Sequence, residues 1–102
     1  MKRVLLSAAL GLGLAGAPAP ALADLALATS KNCMSCHAVE RKVLGPSFKD
    51  VAAKYKDDKG AVDALASKIM KGGSGVWGPV PMPANNQVSE ADAKKLAAWV
   101  LS

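Results

Sequence analysis

Metal ligands, thiols and aromatic rings are all scarce in this chain. Its 102 residues hold one histidine, two cysteines, one phenylalanine, one tyrosine and two tryptophans. Two cysteines and one histidine leave a structural zinc site one ligand short. Alternating apolar and polar runs are missing too, so no β pattern is visible, and the βαβ setting of a thioredoxin-like dithiol is absent with it. No repeat or second domain stands out. Basic side chains outnumber acidic ones by 13 to 8, yet no arginine-rich run or aromatic interleaving accompanies them, so the pattern of a nucleic-acid module is not met. The excess fits a diffuse positive face for docking, or solubility.

A bilayer-spanning run is lacking as well. Residues 4–17 are apolar but fall short of the ~20 residues a helix needs to cross a membrane, and Pro18 and Pro20 break the chain just beyond them. Lys2 and Arg3 precede the run, and Ala21-Leu22-Ala23 matches a small-x-small cleavage pattern. Residues 1–23 therefore read as a cleaved secretory signal peptide rather than a stable membrane anchor, and residues 24–102 as one exported domain, placed in the periplasm. A domain of about 80 residues buries too little apolar surface to be comfortably stable without a staple.

What is present is Cys33-Met34-Ser35-Cys36-His37. In a C-x-x-C-H site, each thiol adds to one vinyl group of a haem and the next residue becomes an axial ligand to iron. As the sole histidine, His37 is the natural proximal ligand. One covalently attached haem c would then supply the missing core, and the chain without it should be largely unfolded.

The rest of that domain reads as about four helical pieces and one long loop. Leu25, Ala28 and the Cys33 region share helical spacing from residue 25 to about residue 35. Ser47, with Asp50 three residues on, marks a helix start for the stripe Phe48, Val51, Ala52 and Tyr55. Val62, Leu65, Ala66 and Ile69 trace a third helix stopped by Gly72-Gly73. Ser89 and Asp92 open a fourth, with Leu96, Ala97, Val100 and Leu101 on its buried face and Trp99 packed beside them. The expectation is an all-α fold, its first and last helices crossing over the haem.

Residues 72–87 hold four glycines and three prolines without periodicity, and a loop of that length in so small a domain is usually functional. With no second histidine, the candidates for the sixth ligand are methionines or a lysine. Met34 lies between the cysteines, and Met70 adjoins an apolar stripe where methionine commonly fills gaps. Met82 sits in Pro81-Met82-Pro83, where both prolines fix φ and stiffen the backbone. Met82 is therefore the expected second axial ligand. A ligand-binding haem protein with an open iron and a haem-free thiol–disulfide protein remain the competing classes.

Joined to Gly45-Pro46 and to Val76-Trp77-Gly78-Pro79-Val80-Pro81-Met82-Pro83, the Cys33–His37 motif resembles the short bacterial class I cytochromes c, over nearly the whole exported domain. The resemblance implies the class I fold and a non-enzymatic periplasmic one-electron carrier. Its donor would be a membrane quinol-oxidising complex, its acceptor a nitrite reductase, peroxidase or terminal oxidase. It implies a monomer that binds no nucleic acid. It also implies that the Pro46 carbonyl fixes the His37 tautomer and that Trp77 donates to a haem propionate. Asn85 would steady the Met82 sulfur, and Lys68 would stand near the inner propionate where relatives often carry arginine.

Overall fold

The computed structural model describes residues 20–102, and all four helices expected from the sequence are found there. They are α1 (Pro20–Ser30), α2 (Phe48–Lys54), α3 (Ala61–Lys71) and α4 (Glu90–Val100). Most of the signal-peptide reading, residues 1–19, lies outside the described residues, as does Met1. Residues 20–23, including the expected cleavage motif, form the first turn of α1.

α1 departs from expectation at both ends. It begins at Pro20, where the sequence reading has a helix break. Proline is tolerated in a first helical turn because that amide has no intrahelical partner. It ends at Ser30 rather than near residue 35, because Asn32 adopts a left-handed conformation with φ 66°. Asparagine enters that region more readily than most residues. The chain then tightens into a 3₁₀ turn over Cys33–Ser35.

The starts of α2 and α4 follow local chemistry, whereas α3 starts after Gly60 without a side-chain cap. Ser47 Oγ accepts from the Asp50 amide at 3.0 Å, and Ser89 Oγ accepts from the Asp92 amide at 3.1 Å. Each satisfies one of the orphan donors of a helix N-terminus. α3 ends where Gly72 turns to φ 76°, a conformation that costs glycine little.

α4 is the hub of the packing. It makes its largest contact with α3, and α1 and α2 pack against it as well, so the expected pairing of first and last helices holds but is the lesser one. The core cluster consists of Ala28, Ala66, Val88, Ala93, Leu96 and Ala97. Leu96 is the large side chain among them that is fully buried. Alanines let the helices approach closely but bury little area each. Leu65, Ile69, Val62 and Trp99 remain only half-buried beside them. Burial contributes about 25 cal/mol per Å2 of apolar surface, so half-buried walls leave much of the available stabilisation unrealised. This core needs another apolar body to complete it.

Candidate haem-binding site

Leu65, Ile69 and Trp99 line a partly open cavity that most of the sequence-derived site residues share. Cys33, Cys36, His37, Pro46, Lys68, Trp77 and Met82 all line it, with Leu44, Leu65, Ile69 and Leu96 supplying apolar surface. Asn85 does not line it.

The His37 side is built by a short run of backbone bonds. The amides of Cys36 and His37 both donate to the Cys33 carbonyl, at 3.2 and 3.0 Å, closing the turn that carries the two thiols. The Cys36 carbonyl then accepts from Leu44 and Gly45 at 3.2 and 2.8 Å, folding residues 44–46 back over the histidine. His37 Nδ1 lies 2.8 Å from the Pro46 carbonyl. A carbonyl can only accept, so Nδ1 carries a proton, and in the neutral ring the lone pair is then on Nε2. Gly45 lies so close to the ring that an added Cβ would stand 2.5 Å from His37 Cε1. Phe48 stacks on the imidazole at 5.0 Å and 27°, and Trp99 meets Phe48 edge-on at 5.4 Å.

Cys33 and Cys36 are free, half-buried thiols. Burial pushes the Cys33 thiol above its ordinary pKa, against a smaller opposing pull from its backbone hydrogen bond.

The Met82 side is held by its own backbone. Gly73 and Met82 exchange hydrogen bonds as an isolated antiparallel bridge, with N–O distances of 3.0 and 2.7 Å. Residues 74–81 bow out between them, tightened by a Gly75 to Gly78 bond of 3.0 Å. Gly72 makes the closure possible. A Cβ there would meet the Met82 carbonyl at 2.5 Å and the Ala84 nitrogen at 2.8 Å. Met82 is half-buried on the cavity wall. Met70 and Met34 instead pack against the core cluster and do not line the cavity.

Trp77 is 41% exposed at the cavity rim. Its indole N–H has no hydrogen bond among the described residues, and the Lys54 ammonium lies 5.7 Å from its ring centre and 5.8 Å from that of Tyr55. Lys68 is half-buried, its ammonium beside Gly73, with no ion-pair partner among the described residues. Asn85 bonds to backbone and does not line the cavity. Its Nδ2 donates to the Ile69 carbonyl at 2.9 Å and to that of Pro83 at 3.5 Å, while its backbone amide also donates to Ile69. The amide serves the end of α3, where the last carbonyls of a helix need donors.

Gly45, Gly72 and Phe48 are the functional positions that the sequence reading underused. Gly-Pro eight residues after His37 carried a signal for the first, but Phe48 looked like one more member of a helix stripe. The donor set as a whole fits a haem c. Two thiols, one imidazole with a free Nε2 and one thioether line a single apolar cavity. The Lys68 ammonium and the Trp77 indole N–H, both without a partner among the described residues, belong to residues lining the same cavity.

Comparison with known proteins identifies the family. Residues 14–102 match the Cytochrome c family. Cytochrome c-552 of Nitrosomonas europaea is 57% identical over 82 residues, covering 80% of this chain and 80% of that protein. Cytochrome c-552 of Hydrogenobacter thermophilus is 54% identical over 102 residues, covering 100% of this chain and 98% of the relative. Among solved structures, wild-type Nitrosomonas europaea cytochrome c552 superposes with a TM-score of 0.74 at 57% identity, covering 76% of this chain and 95% of that one.

Proposed function

Because the chain belongs to the cytochrome c family and so carries a covalently attached haem c, we propose that it is a periplasmic one-electron carrier whose haem is held by Cys33 and Cys36 and ligated by His37 and Met82. The observation that carries this reading is the 2.8 Å bond from His37 Nδ1 to Pro46. It leaves Nε2 as the ring nitrogen available for ligation, on a side chain that lines the same cavity as Met82.

When bound, the haem iron supplies a one-electron couple. The chain's own groups set its working conditions. The Pro46 carbonyl makes His37 a better donor and fixes its orientation. The Met82 thioether donates weakly to ferric iron and so raises the potential. The apolar walls act in the same direction, because a low-dielectric surround disfavours the extra positive charge of the oxidised centre. Trp77 and Lys68 offer a hydrogen bond and a charge to the propionates. The Gly73–Met82 bridge and the flanking prolines hold the thioether in place, keeping geometry nearly constant between oxidation states. With His37 and Met82 both engaged, no position on the metal would remain for a substrate, and the protein would pass an electron without catalysing a reaction.

Export under residues 1–23 would bring it to a quinol-oxidising donor and to a nitrite reductase, peroxidase or terminal oxidase as acceptor. Lysine placement supports brief electrostatic docking. Lys42 lines the cavity and Lys54 stands over Trp77 at its rim, whereas Lys49 lies on a separate cleft with Val39 and Glu40. Small redox encounters of this kind bury little area. A potentiometric titration tests the reading. It should trace a single one-electron curve of about 59 mV per decade, and Met82→Ala should lower the midpoint. A midpoint unchanged in Met82→Ala would remove Met82 from the iron.

A further inference from the structure

The loop that carries Met82 has a return limb, residues 83–88, whose attachment to the rest of the fold is unusual. Gln87 and Lys31 lie 56 positions apart and exchange hydrogen bonds in both directions. Gln87 Nε2 donates to the Lys31 carbonyl at 3.2 Å, and Lys31 Nζ donates to the Gln87 carbonyl at 3.3 Å. The same Nε2 also donates to Asn85 Oδ1 at 3.1 Å. Asn85 in turn holds the Ile69 carbonyl at the end of α3 through its backbone amide and its Nδ2.

The carboxamide thus ties the limb beyond Met82 to the end of α1, and Asn85, which it also contacts, ties that limb to the end of α3. Lys31 adjoins α1 directly, its amide still bonded to Leu27, and only the left-handed Asn32 separates it from Cys33. Among the described residues, no other hydrogen bond joins residues 83–87 to α1 or to the 33–37 turn. Asn85 and the Gly73–Met82 bridge attach the limb to α3 alone.

We propose that Gln87 is a positioning residue: it locks the segment bearing Met82 to the segment bearing Cys33 and His37, and so holds the thioether against competing ligands of the iron. The inference rests on Met82 being the second axial ligand. An incoming ligand binds only the fraction of molecules in which Met82 has moved away, so its apparent affinity scales with that fraction. Removing the carboxamide deletes two exposed bonds, enough to raise the fraction by about three- to tenfold.

The test is imidazole titration of the ferric holoprotein by absorption. Gln87→Ala should bind imidazole about three- to tenfold more tightly than the parent. Lys31→Ala keeps the carbonyl that Gln87 uses and should shift affinity less. Ser89→Ala, which loses only the α4 cap, lowers general stability and should leave affinity unchanged. Equal affinity in Gln87→Ala and the parent overturns the proposal, as does an equal rise in Ser89→Ala, which would reduce the effect to loss of stability. Met82→Ala separates the two readings. If the parent binds imidazole as tightly as Met82→Ala does, Met82 is not a ligand and the lock falls with it. If the parent resists imidazole and Gln87→Ala resists it equally, the lock alone fails.

Discussion

Replacing Gly45 with alanine probes the His37 support directly. The new Cβ would stand 2.5 Å from Cε1, 2.9 Å from Nδ1 and 3.1 Å from Nε2 of His37. Carbon atoms in comfortable contact lie ~3.5–4.0 Å apart, so the ring or the Gly45 backbone must retreat by about 1 Å. Neither has free room. The ring is stacked on Phe48 at 5.0 Å, and Gly45 adjoins Pro46, whose carbonyl holds Nδ1 at 2.8 Å. Overpacking of this kind costs about 1–3 kcal/mol. Loosening the Nδ1 bond adds about 0.5–1.5 kcal/mol. Alanine restricts the unfolded chain, which returns about 0.4–1 kcal/mol. The steric term wins, and the net expectation is a loss of about 1–3 kcal/mol. Denaturant unfolding of the ferric holoprotein measures it. The reduction potential should rise at the same time, because a histidine without its carbonyl partner donates less to ferric iron. An unfolding midpoint and a potential both equal to the parent's would refute the reasoning.

The other supports of the site carry expectations of their own. Gly72→Ala combines a positive φ with a Cβ 2.5 Å from the Met82 carbonyl, so it should break the Gly73–Met82 bridge. The absorption band that reports sulfur ligation should weaken, and an undiminished band would show the bridge to be dispensable. Trp77→Phe removes an indole N–H with no protein partner among the described residues; the reduction potential or its pH dependence should shift, and no change in either would leave Trp77 a packing residue. Cys33→Ala/Cys36→Ala, expressed without haem, should give a largely unfolded circular dichroism spectrum. Its described core holds Leu96 as the large fully buried side chain among mostly alanines, and a well-folded helical spectrum would show that this core suffices.

Which features could be read from the sequence depended on how local their causes are. The thiol pair, the histidine beside it and the proline-flanked methionine are contiguous motifs, and the Ser47 and Ser89 caps are settled within three residues. The start of α1 was misjudged because proline disrupts a helix interior but fits a first turn, and sequence alone does not say which position it occupies. The left-handed Asn32 that ends α1 early gave no signal beyond its residue type. The resemblance puts Asn85 beside the Met82 sulfur, and only the folded chain shows its amide reaching Ile69 at the end of α3, 16 residues away. Phe48 against His37 and Gln87 against Lys31 are contacts between segments, and no periodicity encodes them.

Ligation of the iron by both His37 and Met82 is the claim on which the carrier reading depends. The absorption spectrum of the reduced holoprotein, recorded with and without carbon monoxide, tests it most directly. A spectrum unchanged by the gas is the expected result, since both axial positions are then filled by protein. Ready binding of carbon monoxide would contradict it and make this a ligand-binding haem protein.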